Sequence, residues 1–219
     1  MNKLRIAMLG HKRIPSREGG VEIVVDELSK RMAMLGHSVT VYNRRGTHVS
    51  GREYKNENLK EYNGVKIKRV FTIDKKGLAA MTSSFFAALC AAFGKYDAVH
   101  FHAEGPCVMI PLVKLSGKRV VATIHGLDWQ RAKWGGFATK YLKFGEKNAA
   151  KYADEIIVLS KNVQKYFMDT YNRDTVYIPN GALECENISV REIKENGGWK
   201  RMDIFCFWEE LFPKRVYPI

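Results

Sequence analysis

The first forty residues restrict the fold more than any other stretch. An apolar run, Leu4-Arg5-Ile6-Ala7-Met8-Leu9, ends at Gly10. A basic loop, His11-Lys12-Arg13-Ile14-Pro15-Ser16-Arg17-Glu18, closes on Gly19-Gly20. From about Val21 to Leu35, Val21, Val24, Val25, Leu28, Met32 and Leu35 recur at three- and four-residue steps, which predicts one apolar stripe on a helix. Gly36 suits the position after a helix C-terminus, and Ser38-Val39-Thr40-Val41-Tyr42 reads as a strand. Strand, loop, helix and strand form a βαβ unit, which places a loop and a helix N-terminus at the carboxyl edge of a parallel sheet, where anions bind.

The remaining chain repeats this alternation. Residues 43–64 are polar and expected to form a loop, and Val65–Val70 alternates as a strand. Gly77 to Phe93 is rich in Ala, Phe, Leu and Met. It is a poor membrane span, because it has about 17 residues and Thr82, Ser83 and Ser84 lie inside it. It is expected to be a buried helix or, failing that, one lying on a membrane surface. Asp97–His102, Val120–Ile124, Glu155–Leu159 and Thr175–Pro179 are short apolar strands. Helices are expected over Val108–Leu115 and Phe137–Tyr152, and after Ser160, which can N-cap the next one. Alternating strands and helices argue for an α/β fold, a doubly wound, Rossmann-like parallel sheet.

Charge then narrows the partners. Lys and Arg number 36 against 23 Asp and Glu, a net charge of +13, and the sequence pI is about 9.6. Such a balance favours a diphosphate, a nucleotide or an acidic lipid surface. Nucleic acid is disfavoured, since the basic residues are scattered and no recognition motif accompanies them. The four cysteines are widely spaced and none pairs with a histidine at metal-site spacing. This predicts a reduced, cytoplasmic chain. With no metal-site spacing and no nicotinamide-cofactor signature, no metal and no cofactor are expected.

Several residues could carry chemistry. The Gly10 to Gly20 loop has neither the dinucleotide nor the P-loop signature. Gly19 and Gly20 before a helix can admit a diphosphate close to the backbone, with Arg13 and Arg17 adding charge, or they can form a plain tight turn. His125 follows a fully apolar strand at the ligand-binding edge, as a site residue or a satisfied structural histidine. His100 and His102 end a neighbouring strand, with Glu104 and Asp128 as nearby acids.

Taken in order, the motifs match one family. Pro15…Gly19-Gly20-Val21-Glu22, Leu35-Gly36-His37-Ser38-Val39-Thr40-Val41, Asp97-Ala98-Val99-His100-Phe101-His102, Val121-Ala122-Thr123-Ile124-His125-Gly126, Ala153-Asp154-Glu155-Ile156-Ile157-Val158-Leu159-Ser160 and Ile178-Pro179-Asn180-Gly181 span about residues 3 to 184. The chain resembles the N-terminal domain of retaining glycosyltransferases of family 4. Its opening segment looks most like the rhamnosyltransferase-like members that build surface polysaccharides. The resemblance implies one half of a GT-B fold, with residues 1–184 as the acceptor-side domain. It implies that Gly19 and Gly20 face the diphosphate of a nucleotide-sugar donor. His125 would be the catalytic-site residue near the reacting carbon, and His102, Glu104 and Asp128 would lie on the acceptor side. Asn180 and Gly181 would mark the interdomain hinge. The acceptor would be a glycan or a polyprenyl-diphosphate-linked chain, with peripheral contact at the inner membrane face.

Residues 185–219 depart from the pattern. The G-R-x-x-x-x-K-G and E-x7-E stretches of the donor-binding domain are absent, and Trp199, Phe205, Phe207, Trp208, Phe212 and Tyr217 crowd a segment with no clean period. Reading from the third base of each codon near Glu195 permits a G-R-x-x-x-x-K-G stretch. A frameshift near residues 195–196 and a truncated product inactive alone are therefore expected, and a separately encoded C-terminal half is the alternative by which the enzyme could be completed in trans. The competing expectations are a non-enzymatic basic module binding a membrane surface or partner subunit, and another GT-B enzyme such as a sugar-nucleotide epimerase.

Overall fold

A computed structural model describes residues 3–46, 48–49, 52–53, 59–75, 77–130 and 135–181. The chain divides into two units, Met1–Asn180 and Gly181–Ile219, and of the second only Gly181 is among the described residues. The aberrant tail at 185–219 and the frameshift expected at 195–196 therefore lie outside them.

The order of elements is β1 (Arg5–Leu9), α1 (Gly20–Met34), β2 (Ser38–Arg44), β3 (His48–Val49), β4 (Arg52–Glu53), β5 (Glu61–Tyr62), β6 (Val65–Val70), α2 (Leu78–Phe93) and β7 (Ala98–His102). A 3-10 turn at Pro106–Met109, α3 (Ile110–Lys114), β8 (Arg119–Ile124), a second 3-10 turn at Asp128–Gln130, α4 (Gly136–Tyr152), β9 (Glu155–Val158), α5 (Lys161–Tyr171) and β10 (Val176–Tyr177) follow. Eight strands form one sheet in the order β10-β9-β8-β7-β1-β2-β6-β5. All neighbours are parallel except β5, which pairs antiparallel with β6. The chain builds from β1 towards β6, then returns to the other side of β1 with β7. The switch point, where ligands gather in such sheets, therefore lies between β1 and β7.

Two cores explain the strand patterns. Ile6 and Met8 join Ile14, Val25, Val39, Val41, Val65 and Ile67 on the α1 face. Ala7 and Leu9 point the other way, into a larger core with Val99, Phe101, Val120, Ala122, Ile124 and the helices α2 to α5. Alternating side chains from a strand buried on both faces require this split. Two acids pin the sheet at its amino edge in the same way. Asp97, just before β7, accepts from the Arg5 N–H of β1 at 2.8 Å. Asp154, just before β9, accepts from the Val120 N–H of β8 at 2.7 Å.

Helix ends follow local chemistry. Gly36 has φ +89, its N–H bonds Ala33 O, and the His37 N–H bonds Met32 O, a Schellman motif that ends α1. The Ser160 hydroxyl accepts from the Val163 N–H at 3.3 Å, the expected N-cap of α5. Two expectations need adjustment. The stretch 43–64 is not all loop, because β2 runs on to Arg44 and three short strands follow. The helix α2 is buried only on its Ala/Ser face, while Phe85 and Phe93 are exposed. Among the described residues no helix is long and apolar enough to cross a membrane.

Candidate functional site

The site begins with the strands around the switch point. On β7, Val99 and Phe101 enter the large core, so His100 and His102 must face the α1 side. Thr123 of β8 faces the same way and meets His100, Nε2 to Oγ1 at 2.7 Å. The helix α1 packs over β2 and β6 rather than over β7 and β8. The polar residues at the ends of β7 and β8 thus lie beside α1, not beneath it.

His125, the first residue after β8, places Nε2 at 3.2 Å from Nδ1 of His102. The rings of His100 and His102 are 4.1 Å apart, and those of His102 and His125 5.5 Å. His11 follows Gly10 at the end of β1. Its Nε2 is 3.0 Å from Asn43 Oδ1, while the Asn43 amide donates to Ile14 O at 2.8 Å. With Oδ1 the acceptor, His11 Nε2 carries the proton. Burial pushes the imidazoles of His11 and His100 down to about 4, and pushes His102 well down. It lowers His125 as well, against the opposing pull of Asp128 and Glu22. The cluster is therefore neutral at pH 7, and His125 offers hydrogen bonds rather than charge. No group of three His, Cys, Asp or Glu among the described residues has metal-site geometry.

Glu104, two residues past β7, is fully buried, and its Oε2 accepts from the Asp128 N–H at 3.0 Å. His102 thus pairs with His125, and Glu104 with the Asp128 backbone, so all four candidate residues stand at the loop after β8 in two hydrogen-bonded pairs. The glycine loop is adjacent. Gly19 is the N-cap of α1 in extended backbone. A side chain on Gly20 would meet nothing within 4 Å, so an approach to the first turn of α1 is open there. Gly19 instead lies against the Glu22 carboxylate, which also accepts from the Lys12 N–H at 2.9 Å.

Arg17 is exposed on this loop. Arg13 is buried, and its guanidinium donates to Gly46 O at 2.7 Å, which ties the loop to the end of β2. Asn180 and Gly181 are exposed beyond β10, at the boundary of the two units. Sequence reasoning missed Glu22, His11, Asn43 and Glu146. Glu22 stands off the apolar stripe of α1, where a solvated residue is the ordinary expectation, but its carboxylate folds back into the loop. Glu146 looks like one polar residue among many on α4. Its signal would have been the aromatic hydroxyls of α5, which sequence alone does not aim.

A family model described as Glycosyltransferase Family 4 matches residues 18–182. No curated protein matches the chain. Among solved structures, sucrose-phosphate synthase from Thermosynechococcus elongatus superposes with a TM-score of 0.63 at 18% identity, over 82% of this chain and 49% of that one. HepE from Anabaena, solved with UDP and glucose, gives 0.60 at 14% identity, over 88% and 50%. LpCGTa, solved with UDP, gives 0.55 at 10% identity, over 89% and 56%. The chain thus spans about half the length of these structures.

Proposed function

The chain belongs to glycosyltransferase family 4 and carries one α/β half of the GT-B fold, and from that premise we propose that it is the acceptor-side wall of a nucleotide-sugar cleft. The observation that carries this reading is the convergence of His125, His102 and the open Gly20 turn at the switch point between β1 and β7. On this reading, a second GT-B domain supplies the donor-binding wall and the α1 N-terminus faces the diphosphate. Its unpaired N–H groups meet negative charge as it develops on the leaving group. Neutral His125, held by His102, hydrogen-bonds the transferred sugar near the reacting carbon. Structures with the same fold bind UDP, or UDP and glucose, which supports a nucleotide-sugar donor. No metal and no cofactor take part.

The test is transfer from a labelled nucleotide sugar by the assembled two-domain enzyme. His125→Ala is expected to lower kcat/KM by roughly a hundredfold or more, as loss of a site hydrogen bond does. Gly20→Ala is expected to fold normally, since its new methyl meets nothing, and to raise the KM for the donor about tenfold by blocking backbone approach. Full activity in both variants would overturn the reading.

The acceptor is a glycan on a lipid carrier in this proposal, as in surface polysaccharide synthesis on the cytoplasmic face of a membrane. Two observations support it. The net charge is +13. Exposed Phe71, Ile73, Leu78 and Phe85 cluster beside Arg45 and Lys75 at the carboxyl end of β6 and the start of α2. Vesicles containing about a third anionic lipid should co-sediment the chain, and Phe71→Ser with Phe85→Ser should release it. Equal binding to neutral vesicles, or none to anionic ones, would remove the membrane from the proposal.

A further inference from the structure

The loop that follows His125 is held by two carboxyl groups from other elements. Glu104 comes from the segment after β7, and Glu146 from the middle of α4. Both are fully buried. Glu104 Oε2 accepts from the Asp128 N–H at 3.0 Å. Glu146 Oε2 accepts from the Trp129 indole N–H at 2.9 Å. Adjacent residues of one 3-10 turn are thus fixed by acids from two different elements.

The two carboxyls also face each other. Glu146 Oε1 receives the hydroxyls of Tyr166 and Tyr171, both on α5, so both oxygens of Glu146 are acceptors already in use. Among the described residues, Glu104 Oε1 is buried with no donor in reach, and its neighbour is Glu146. Two buried acceptors without a donor between them would repel, and a proton is the one partner that satisfies both. The backbone geometry shows how close the elements come. A side chain on Gly145 would stand 2.0 Å from Glu104 O, so α4 is pressed directly on the segment that carries Glu104.

We propose that Glu104 and Glu146 share a proton as a buried acid–carboxylate pair, and that this pair positions the Asp128–Gln130 turn and, through it, His125. The two are positioning residues. Their role towards a sugar rests on the function proposed above, whereas their hold on the turn does not. Glu104 is the acid of the pair. Burial and the facing charges of Glu146 and Asp128 push it up to about 9. Among the described residues, the other groups packed around the pair do not supply the missing charge. Burial pushes up the Cys107 thiol and the Tyr141 hydroxyl, and Tyr166 is raised to about 12. Lys143 lies over the Trp129 ring, 4.1 Å from its centroid.

Nuclear magnetic resonance on the 219-residue chain tests this without any transfer assay. A neutral amide can replace a protonated acid, so Glu104→Gln should keep the Trp129 indole resonance and change exchange of its N–H by less than about threefold. Glu146→Gln puts an amide donor among three donors, so the same N–H should exchange about tenfold faster or more. In the unaltered chain, the Glu104 carboxyl carbon should stay in its protonated position far above the ordinary value of 4.5. Titration of that carbon near 4.5 would overturn the proposal. So would equal loosening of Trp129 in both variants, or unchanged exchange in Glu146→Gln. If Glu146→Gln does not fold, the carbon titration and Glu104→Gln decide. Absence of transferase activity would sink the proposed function and leave these results standing.

Discussion

Acidification towards about pH 4 is expected to unfold this domain, with net uptake of protons by its buried histidines. The cause is the histidine cluster at the switch point. His11 and His100 are fully buried and neutral, held at about 4 against an ordinary 6.5. Between those values the unfolded chain binds protons that the folded chain refuses. Stability therefore falls as pH drops through 6.5 towards 4. Each such shift is worth about 3 kcal/mol, and His102 and His125 move in the same direction. The sum rivals the whole stability of a typical domain, about 5–15 kcal/mol. Glu104 acts with the opposite sign. Its folded value is raised, so its contribution is present in full below 4.5 and is lost as pH rises towards about 9. One acid offsets only part of the histidine effect, and the optimum should lie near neutral pH. Urea midpoints measured across pH would test this. An equal midpoint at about pH 4.5 and pH 7 would show that the histidines are solvated rather than buried.

The second large effect is expected at Gly10. Gly10→Ala should destabilise the domain by about 4 kcal/mol or more, enough to abolish soluble expression. Its φ of +111 is one that side chains rarely adopt. A methyl would also stand 2.2 Å from the His102 carbonyl oxygen and 3.0 Å from the His102 nitrogen. Both atoms are backbone of the neighbouring strand and cannot turn aside. Gly20→Ala is the control, because a methyl there meets nothing within 4 Å. Soluble yield and urea unfolding of the two variants, side by side, would measure the difference. Comparable stability of both would mean that β1 and β7 are not packed as described.

The contrast between these glycines shows how far the sequence could be read. Both are glycines next to predicted elements, and a predicted helix follows Gly19-Gly20. Only strand order makes Gly10 the one with no room for a side chain, since β7, more than 90 residues later, lies against it. His125 and His102 were marked separately as strand-end histidines, and their contact at 3.2 Å joins two parallel neighbours. Arg13 was expected to add charge at the glycine turn, whereas the fold directs its guanidinium to Gly46 O.

The sequence by itself determined most of the element types and boundaries, the α/β class and the family. These depend on hydrophobic period, caps and glycine stops, all written within about fifteen residues of one another. The tertiary structure alone decided which polar groups meet. The order β8-β7-β1-β2 brings His11, His100, His102 and His125 to one edge and sets Asn43 behind His11. The packing of α4 on the segment after β7 brings Glu146, unmarked in the sequence, to Glu104. Such partnerships join residues tens of positions apart through strand order and helix packing, which no local pattern encodes.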